Sequence, residues 1–263
     1  MKFAVYQTSQ IGGRKYNQDR VAYAYTNDAL LMVLADGMGG HSYGEIAAQI
    51  TIHTFMQTFA LMAQPGIQDP ETFLRITMKS CHEAIIQYAE LNELGGSPGT
   101  TCVAALVQNG KVNWAHAGDS RCYLLRNREV VNVTRDHSVV QQWAEWGLIT
   151  KEEMKTHPDR NKITNCLGGV DDLHIEMSPC ISVQSGDVLL LCSDGLWGPL
   201  SNSEIAEGLA EGDLPESMGR LVDVALLREQ DRADNTTAVV ARLGEKEEEQ
   251  NTERANCMIL DYQ

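Results

Sequence analysis

Apolar and polar positions along the chain alternate between two periods, and the short-period runs come in groups. Residues 3–6, 21–25 and 30–35 are rich in β-branched, aromatic and leucine side chains with turn residues between them, which predicts three strands. Beyond Gly39-Gly40, positions Ile46, Ile50, His53 and Met56 recur at helical spacing through 45–62. Phe73, Ile76, Met78, Ile85 and Tyr88 do the same through 71–94, and Gly95-Gly96-Ser97-Pro98-Gly99 then breaks the helix. Strands follow at 100–107, 112–117 and 122–126, with Asn109-Gly110 as a hairpin turn. From 136 to 169 the β pattern lapses. Ser138-x-x-Gln141 and Thr150-x-x-Glu153 read as capping boxes with Gly147 as the stop between them, which predicts two short helices in an excursion from the sheet. Strands return at 175–181 and 188–192, helices at 203–211 and 216–229, and a last strand at 236–243. Because the strands are grouped, antiparallel sheets with helices packed outside are expected, an α+β fold in one domain over 1–243. Residues 244–263 open on Gly-Glu-Lys-Glu-Glu-Glu without periodicity and are expected to form a solvated tail.

Composition narrows the partners. The chain has 263 residues, enough for one large domain with a well-buried core. Its 36 acidic against 21 basic residues give a net charge of −15, which argues against nucleic acid or an anionic membrane as the main partner. Bound cations would still let such a protein act on phosphate. The seven cysteines contain no C-x-x-C pair and mostly have apolar neighbours, as expected of buried thiols in a reducing compartment. No signal-peptide core follows Lys2, and the longest apolar stretch, 29–35, is too short to span a bilayer. A cytoplasmic protein is expected, and nothing demands more than a monomer.

Four aspartates carry the candidate chemistry: Asp36 in LMVLADGMGG, Asp119 in WAHAGDSR, Asp194 in LLLCSDGLW and Asp234 in RADNTTAVV. Three end an apolar strand-like run and the fourth precedes one. A carboxylate at a strand tip is held by a rigid sheet while facing a cleft. One Asp-Gly is ordinarily a turn, but four in matching contexts predict a metal site. The donors are all oxygen, which selects Mg²⁺, Mn²⁺ or Ca²⁺ over zinc or copper. EF-hand spacing is absent, and ligands from remote segments fit a catalytic cleft with two ions clamping a displacement at phosphorus.

These residues fall in a wider set: Arg14-Lys15-Tyr16-Asn17-Gln18-Asp19, Asp36-Gly37-Met38-Gly39-Gly40-His41, Gly99-Thr100-Thr101, Gly118-Asp119-Ser120-Arg121, Asp194-Gly195 and Asp234-Asn235. Their order and spacing over roughly 3–243 closely resemble the metal-dependent protein phosphatases of the protein phosphatase 2C family, in its compact bacterial form. The resemblance implies a four-layer α-β-β-α sandwich, two central antiparallel sheets flanked by helix pairs, with a flap at about 136–169. It implies hydrolysis of phosphoserine or phosphothreonine by in-line attack of a water shared by two Mn²⁺ or Mg²⁺ ions, reversing a cognate Ser/Thr kinase. Asp36 would then bridge the two ions, with the Gly37 carbonyl on the first and Asp194 and Asp234 on the second. Asp119, helped by Asp194, would hold a third, weaker ion. Arg14 would grip the phosphoryl oxygens, and Asp19 would act through a water.

The chain departs from the family pattern in two places. Gln18 stands where many relatives carry Glu. Met38 occupies the position of a His assigned as general acid in the animal enzymes, and that role does not pass to His41. Trp143 and Trp146, on the first predicted flap helix, are expected to anchor the flap, with an apolar substrate platform as the other reading. The alternative to a phosphatase is a catalytically inactive relative that binds phosphoproteins or regulates a partner. Retention of all four aspartates speaks against it. A phosphatase of small phosphate esters or nucleotides is weakened because no nucleotide-gripping Gly-rich loop followed by Lys is present.

Overall fold

In a computed structural model of the chain, residues 2–38, 43–94, 96, 98–169, 172–244 and 256–259 are described. Three strands, β1 (Phe3–Gln10), β2 (Asp19–Tyr25) and β3 (Ala29–Met38), precede two long helices, α1 (Gly44–Met62) and α2 (Pro70–Leu91). Asp69 caps α2, accepting the Thr72 N–H, with Pro70 in the first turn where no amide is needed. Then come β4 (Gly99–Thr100), β5 (Cys102–Gln108), β6 (Lys111–Ala117), β7 (Arg121–Arg126) and β8 (Glu129–Val133). The excursion holds α3 (Val139–Glu145) and α4 (Lys151–Thr156), followed by β9 (Glu176–Met177), β10 (Ile181–Ser182) and β11 (Val188–Cys192). A one-turn helix α5 (Asp194–Trp197), α6 (Asn202–Gly208), α7 (Leu214–Glu229), a 3₁₀ turn (Gln230–Arg232), β12 (Thr236–Leu243) and β13 (Asn256–Ile259) complete the order.

The strands form two antiparallel sheets, β1-β12-β11-β7-β8 and β10-β6-β5-β3-β2-β13. Three cores separate four layers. Leu30, Met32, Leu34, Val103, Leu124, Leu191 and Val239 pack between the sheets. Leu31, Val33, Ala104 and Leu106 on the outer face of the β3 sheet receive Phe55, Phe59 and Phe73 from α1 and α2. Leu190, Val240 and Tyr123 on the outer face of the other sheet receive Ile205, Met218 and Leu221 from α6 and α7. Strands β3, β5, β11 and β12 are therefore buried on both faces, which is why they read as continuous apolar runs. The expected α-β-β-α sandwich is the observed one.

Local differences from the sequence expectations have local causes. The segment 175–181 forms two two-residue strands rather than one, because Pro179 lies between them and has no amide to donate. Strand β8 was not expected; its turn places Asn127 and Arg128 at positive φ (52° and 67°), where an Arg gives no turn signal. Thr150 makes a full capping box, whereas Ser138 accepts the Gln141 amide without the reciprocal bond. The solvated-tail expectation for 244–263 needs correction for its last part. Asn256–Ile259 pairs antiparallel with Ala22–Tyr25 and covers the otherwise open edge of β2. The acidic run 245–250, Gly39, Gly40 and His41 lie outside the described residues. Among the described residues, no helix is long and apolar enough to cross a membrane.

Phe55 is fully buried and meets Phe73 edge to face at 6.4 Å. Phe55→Ala is expected to cost about 3–5 kcal/mol. Urea unfolding will read this as a lower midpoint, and an unchanged midpoint would contradict the layered core.

Candidate metal centre

All candidate side chains lie at one end of the sandwich, and the register explains why. Asp36 sits two residues before the end of β3 and is the direct Cα partner of Asp19, the first residue of β2. Asp119 lies in the turn joining β6 of one sheet to β7 of the other. Asp194 follows β11 at the start of α5, and Asp234 precedes β12, whose first residues pair with the last of β1. The loop 11–18, which carries Arg14, leaves that same end of β1 and crosses to β2. Two sheet-to-sheet crossings thus meet at this pole.

The electrostatics follow from convergence. Asp19 is fully buried, and its carboxyl is pushed up to about 6, mainly by loss of solvation, with the Asp234 charge adding to it. Burial also pushes Asp119 up to about 7, with Asp136 adding repulsion. Asp36 and Asp194 are raised well above the ordinary carboxylate range, first by desolvation and then by the other aspartates. Among the described residues, Arg14 reaches Asp234 at 2.5 Å but is itself about half exposed, and Arg121 offsets part of the charge at Asp119 while already forked onto Asp136. Asp19 Oδ2 accepts the Ser193 hydroxyl at 2.8 Å, while Asp19 Oδ1 is buried without a hydrogen-bond partner. Oxygen donors in excess, one of them orphaned, fit hard divalent cations. At Gly37 the backbone passes so close to α1 that a Cβ would stand 2.3 Å from the Gly44 carbonyl oxygen. Only glycine leaves room there.

Several residues without an expected role turn out to brace this end. Thr101 donates its amide to the Asp36 carbonyl at 2.9 Å, and the Thr100 hydroxyl reaches the same oxygen at 2.9 Å. The Thr101 hydroxyl accepts the Asp36 amide at 3.1 Å and meets Ser120 at 2.7 Å, so the Gly-Thr-Thr motif fixes Asp36 to the Asp119 turn. Asn235 spreads its amide over the Arg14 loop. Its Oδ1 accepts the Gln18 N–H at 2.8 Å, and its Nδ2 donates to the Ile11 and Tyr16 carbonyls at 2.9 and 3.1 Å. Gly12 and Gly13 let that loop lie against 231–234, where a Cβ would stand within 2.4 Å of a carbonyl. Gln18 donates to Glu45 at 3.3 Å. The Asp-Asn and Thr-Thr pairs were visible signals, but Asp36 and the Arg14 loop, which they hold, are more than 60 residues away. In the flap, Trp143 packs edge-on against His157 at 5.1 Å and so acts as an internal anchor, whereas Trp146 is 68% exposed.

Another cluster deserves the metal test. His116, His137 and Glu176 place donor atoms within 4.8 Å of one another. Two observations speak against an ion there. The two imidazoles stack at 4.6 Å with planes 23° apart, so their in-plane lone pairs cannot both aim at a point about 2 Å away. His137 Nδ1 accepts the Gly118 amide at 3.2 Å, which leaves the ring proton on Nε2 facing Glu176 at 3.2 Å. Burial holds both imidazoles below the ordinary histidine range, His137 at about 4, so they are neutral near pH 7. The trio pins the root of the flap to the sheet.

The family model described as "Protein phosphatase 2C" matches residues 6–228. The serine/threonine protein phosphatase PstP of Mycobacterium tuberculosis is 38% identical over 231 residues, 87% of this chain. The chain spans only 42% of that relative's length. The crystal structure of the serine/threonine phosphatase Stp1 from Staphylococcus aureus superposes with a TM-score of 0.85 at 32% identity, covering 93% of this chain and 96% of that one. The catalytic domain of PstP in complex with two manganese ions superposes with a TM-score of 0.77 at 34% identity, covering 91% and 97%.

The raised carboxyls make a prediction for the metal-free protein. A folded-state pKa above the unfolded value means the folded form binds more protons, so this contribution is present below pH ~4 and is lost as pH rises through 6 to 7. In EDTA, Asp36→Asn should therefore melt higher than wild type at pH 8, by roughly 3–6 °C, with the gap closing towards pH 4.5. Calorimetry across that range checks it, and equal melting at pH 8 would show that the repulsion is not there.

Proposed function

The chain belongs to the protein phosphatase 2C family, and we propose that it is a metal-dependent phosphoprotein phosphatase acting on phosphoserine and phosphothreonine. The observation that carries this reading is the convergence of Asp19, Asp36, Asp119, Asp194 and Asp234 at one end of the sandwich, with an orphaned buried carboxylate oxygen among them. The manganese pair in the catalytic domain of PstP supports two ions, Mn²⁺ or Mg²⁺. Asp36 and the Gly37 carbonyl would hold the first ion, with Asp36 shared. Asp194 and Asp234 would hold the second, and Asp119 a weaker third. Such ions supply positive charge towards a phosphoryl group and acidify water near neutral pH.

The chain's own residues account for the rest. Arg14 stands half exposed beside Asp234 on a loop fixed by Asn235, so its planar fork can meet two phosphoryl oxygens at the mouth of the cleft. The charge that grows on those oxygens during displacement is opposed by that guanidinium. Asp19, locked by Ser193, keeps one carboxylate oxygen free to orient water. Met38 has no transferable proton, so the leaving group is protonated by another group in the cleft. A route through Cys81, Cys102, Cys122 or Cys192 is disfavoured: they are buried thiols pushed up by desolvation, and their thiolates are inaccessible near neutral pH. Residues 1–243 form the catalytic unit in this reading. A Ser/Thr kinase would supply its phosphoprotein substrates.

Hydrolysis of a phosphothreonine peptide should require Mn²⁺ or Mg²⁺ and stop in EDTA. Asp194→Asn should lower kcat/KM by at least about 10³-fold, an effect of roughly 4 kcal/mol. Asp119→Ala should impair turnover by a smaller factor and raise the Mn²⁺ concentration needed. Metal-independent turnover, or none with any divalent ion, would sink the reading and favour an inactive binding module.

A further inference from the structure

Trp197 ends the single turn of α5 that Asp194 begins, and it touches the other strand junction of the metal centre. Its indole N–H donates to the Asp119 carbonyl at 3.0 Å. The Arg121 guanidinium carbon lies 3.5 Å from the centre of its ring. Arg121 forks onto Asp136 through Nε at 2.8 Å and Nη2 at 2.7 Å, at the root of the flap. One side chain therefore ties the Asp194 turn to the Asp119 backbone and stacks on the arginine that holds the flap. We propose that Trp197 is a positioning residue that sets the separation of Asp119 and Asp194 and thereby the affinity of the weaker cation site, an inference that rests on the phosphatase reading above.

The physical need for such a tie is plain. Asp119 and Asp194 are like-charged groups at one pole, and each sits on a different strand junction, Asp119 between β6 and β7 and Asp194 after β11. Their repulsion opposes this convergence, and a tie between the junctions resists it. The hydrogen bond acts on the Asp119 backbone, so it leaves both carboxylates free for an ion. The cation–π contact adds a second, non-covalent fastener on the same ring, at a site largely withdrawn from water. The hydrogen bond acts on the Asp119 backbone, and Asp119 serves only the weaker site in the phosphatase reading, so the larger effect falls there.

The test is a titration of purified protein with Mn²⁺ alone, counting free ion by electron paramagnetic resonance. Wild type, Trp197→Phe, Trp197→Leu and, as a reference, Asp119→Asn are compared. Phe keeps a face for Arg121 and loses the N–H; Leu loses both. Trp197→Phe is expected to weaken the low-affinity site about fivefold with a clearly smaller effect on the tight sites, and Trp197→Leu to weaken it further, towards Asp119→Asn. Thermal melts in EDTA verify that each variant folds, and if Leu does not, the Phe comparison decides alone. Unchanged low-affinity binding in folded Trp197→Phe overturns the proposal, as does equal weakening of every site. Absence of any Mn²⁺ binding in wild type would overturn the phosphatase reading too, so the two failures can be told apart.

Discussion

The structure is organised around mutual repulsion. Five carboxylates from segments as far apart as residues 19 and 234 are brought to one pole of a β-sandwich, where low solvation raises the cost of every charge. Asp19 and Asp36 face each other directly across a strand pair, an arrangement that by itself weakens a sheet. The fold opposes this cost with hydrophobic cores on both sides of both sheets and with a dense set of backbone braces at the pole itself.

Those braces share a design. Thr100 and Thr101 hold the Asp36 backbone, Asn235 holds the Arg14 loop, Ser193 holds Asp19, and Trp197 holds the Asp119 backbone. Three of the four bind main-chain groups rather than carboxylate oxygens. The exception is Ser193, which takes one oxygen of Asp19 and leaves the other bare. A site so arranged is preorganised for an external cation.

The flap is attached at its root more firmly than along its length. Arg121–Asp136 and His137, with Glu176 fixing its tautomer, join the root to the β6–β7 turn. The helices beyond it are short, and α4 buries no side chain. Metal centre and flap thus share one strand junction.

Much of this was legible in the sequence, and the reason is that its strongest signals are local. Runs such as 30–35 and 188–192 are apolar throughout because both faces of those strands are buried, and the aspartates mark where the runs stop. The Asp-Gly, Gly-Asp-Ser-Arg and Asp-Asn junctions mark the aspartates that the fold brings together at one pole. What sequence alone left open were matters of pairing. Strand β8 turns on an Asn-Arg pair with no glycine, and β13 forms because β2 has an open edge, neither of which is written locally. Trp197 reads as one more apolar residue until the fold sets its N–H against the Asp119 carbonyl. The chain by itself determined which residues carry charge and where strands end, because those depend on neighbours in sequence. Tertiary structure alone decided which charges meet and what holds them, because those depend on neighbours across the sheets.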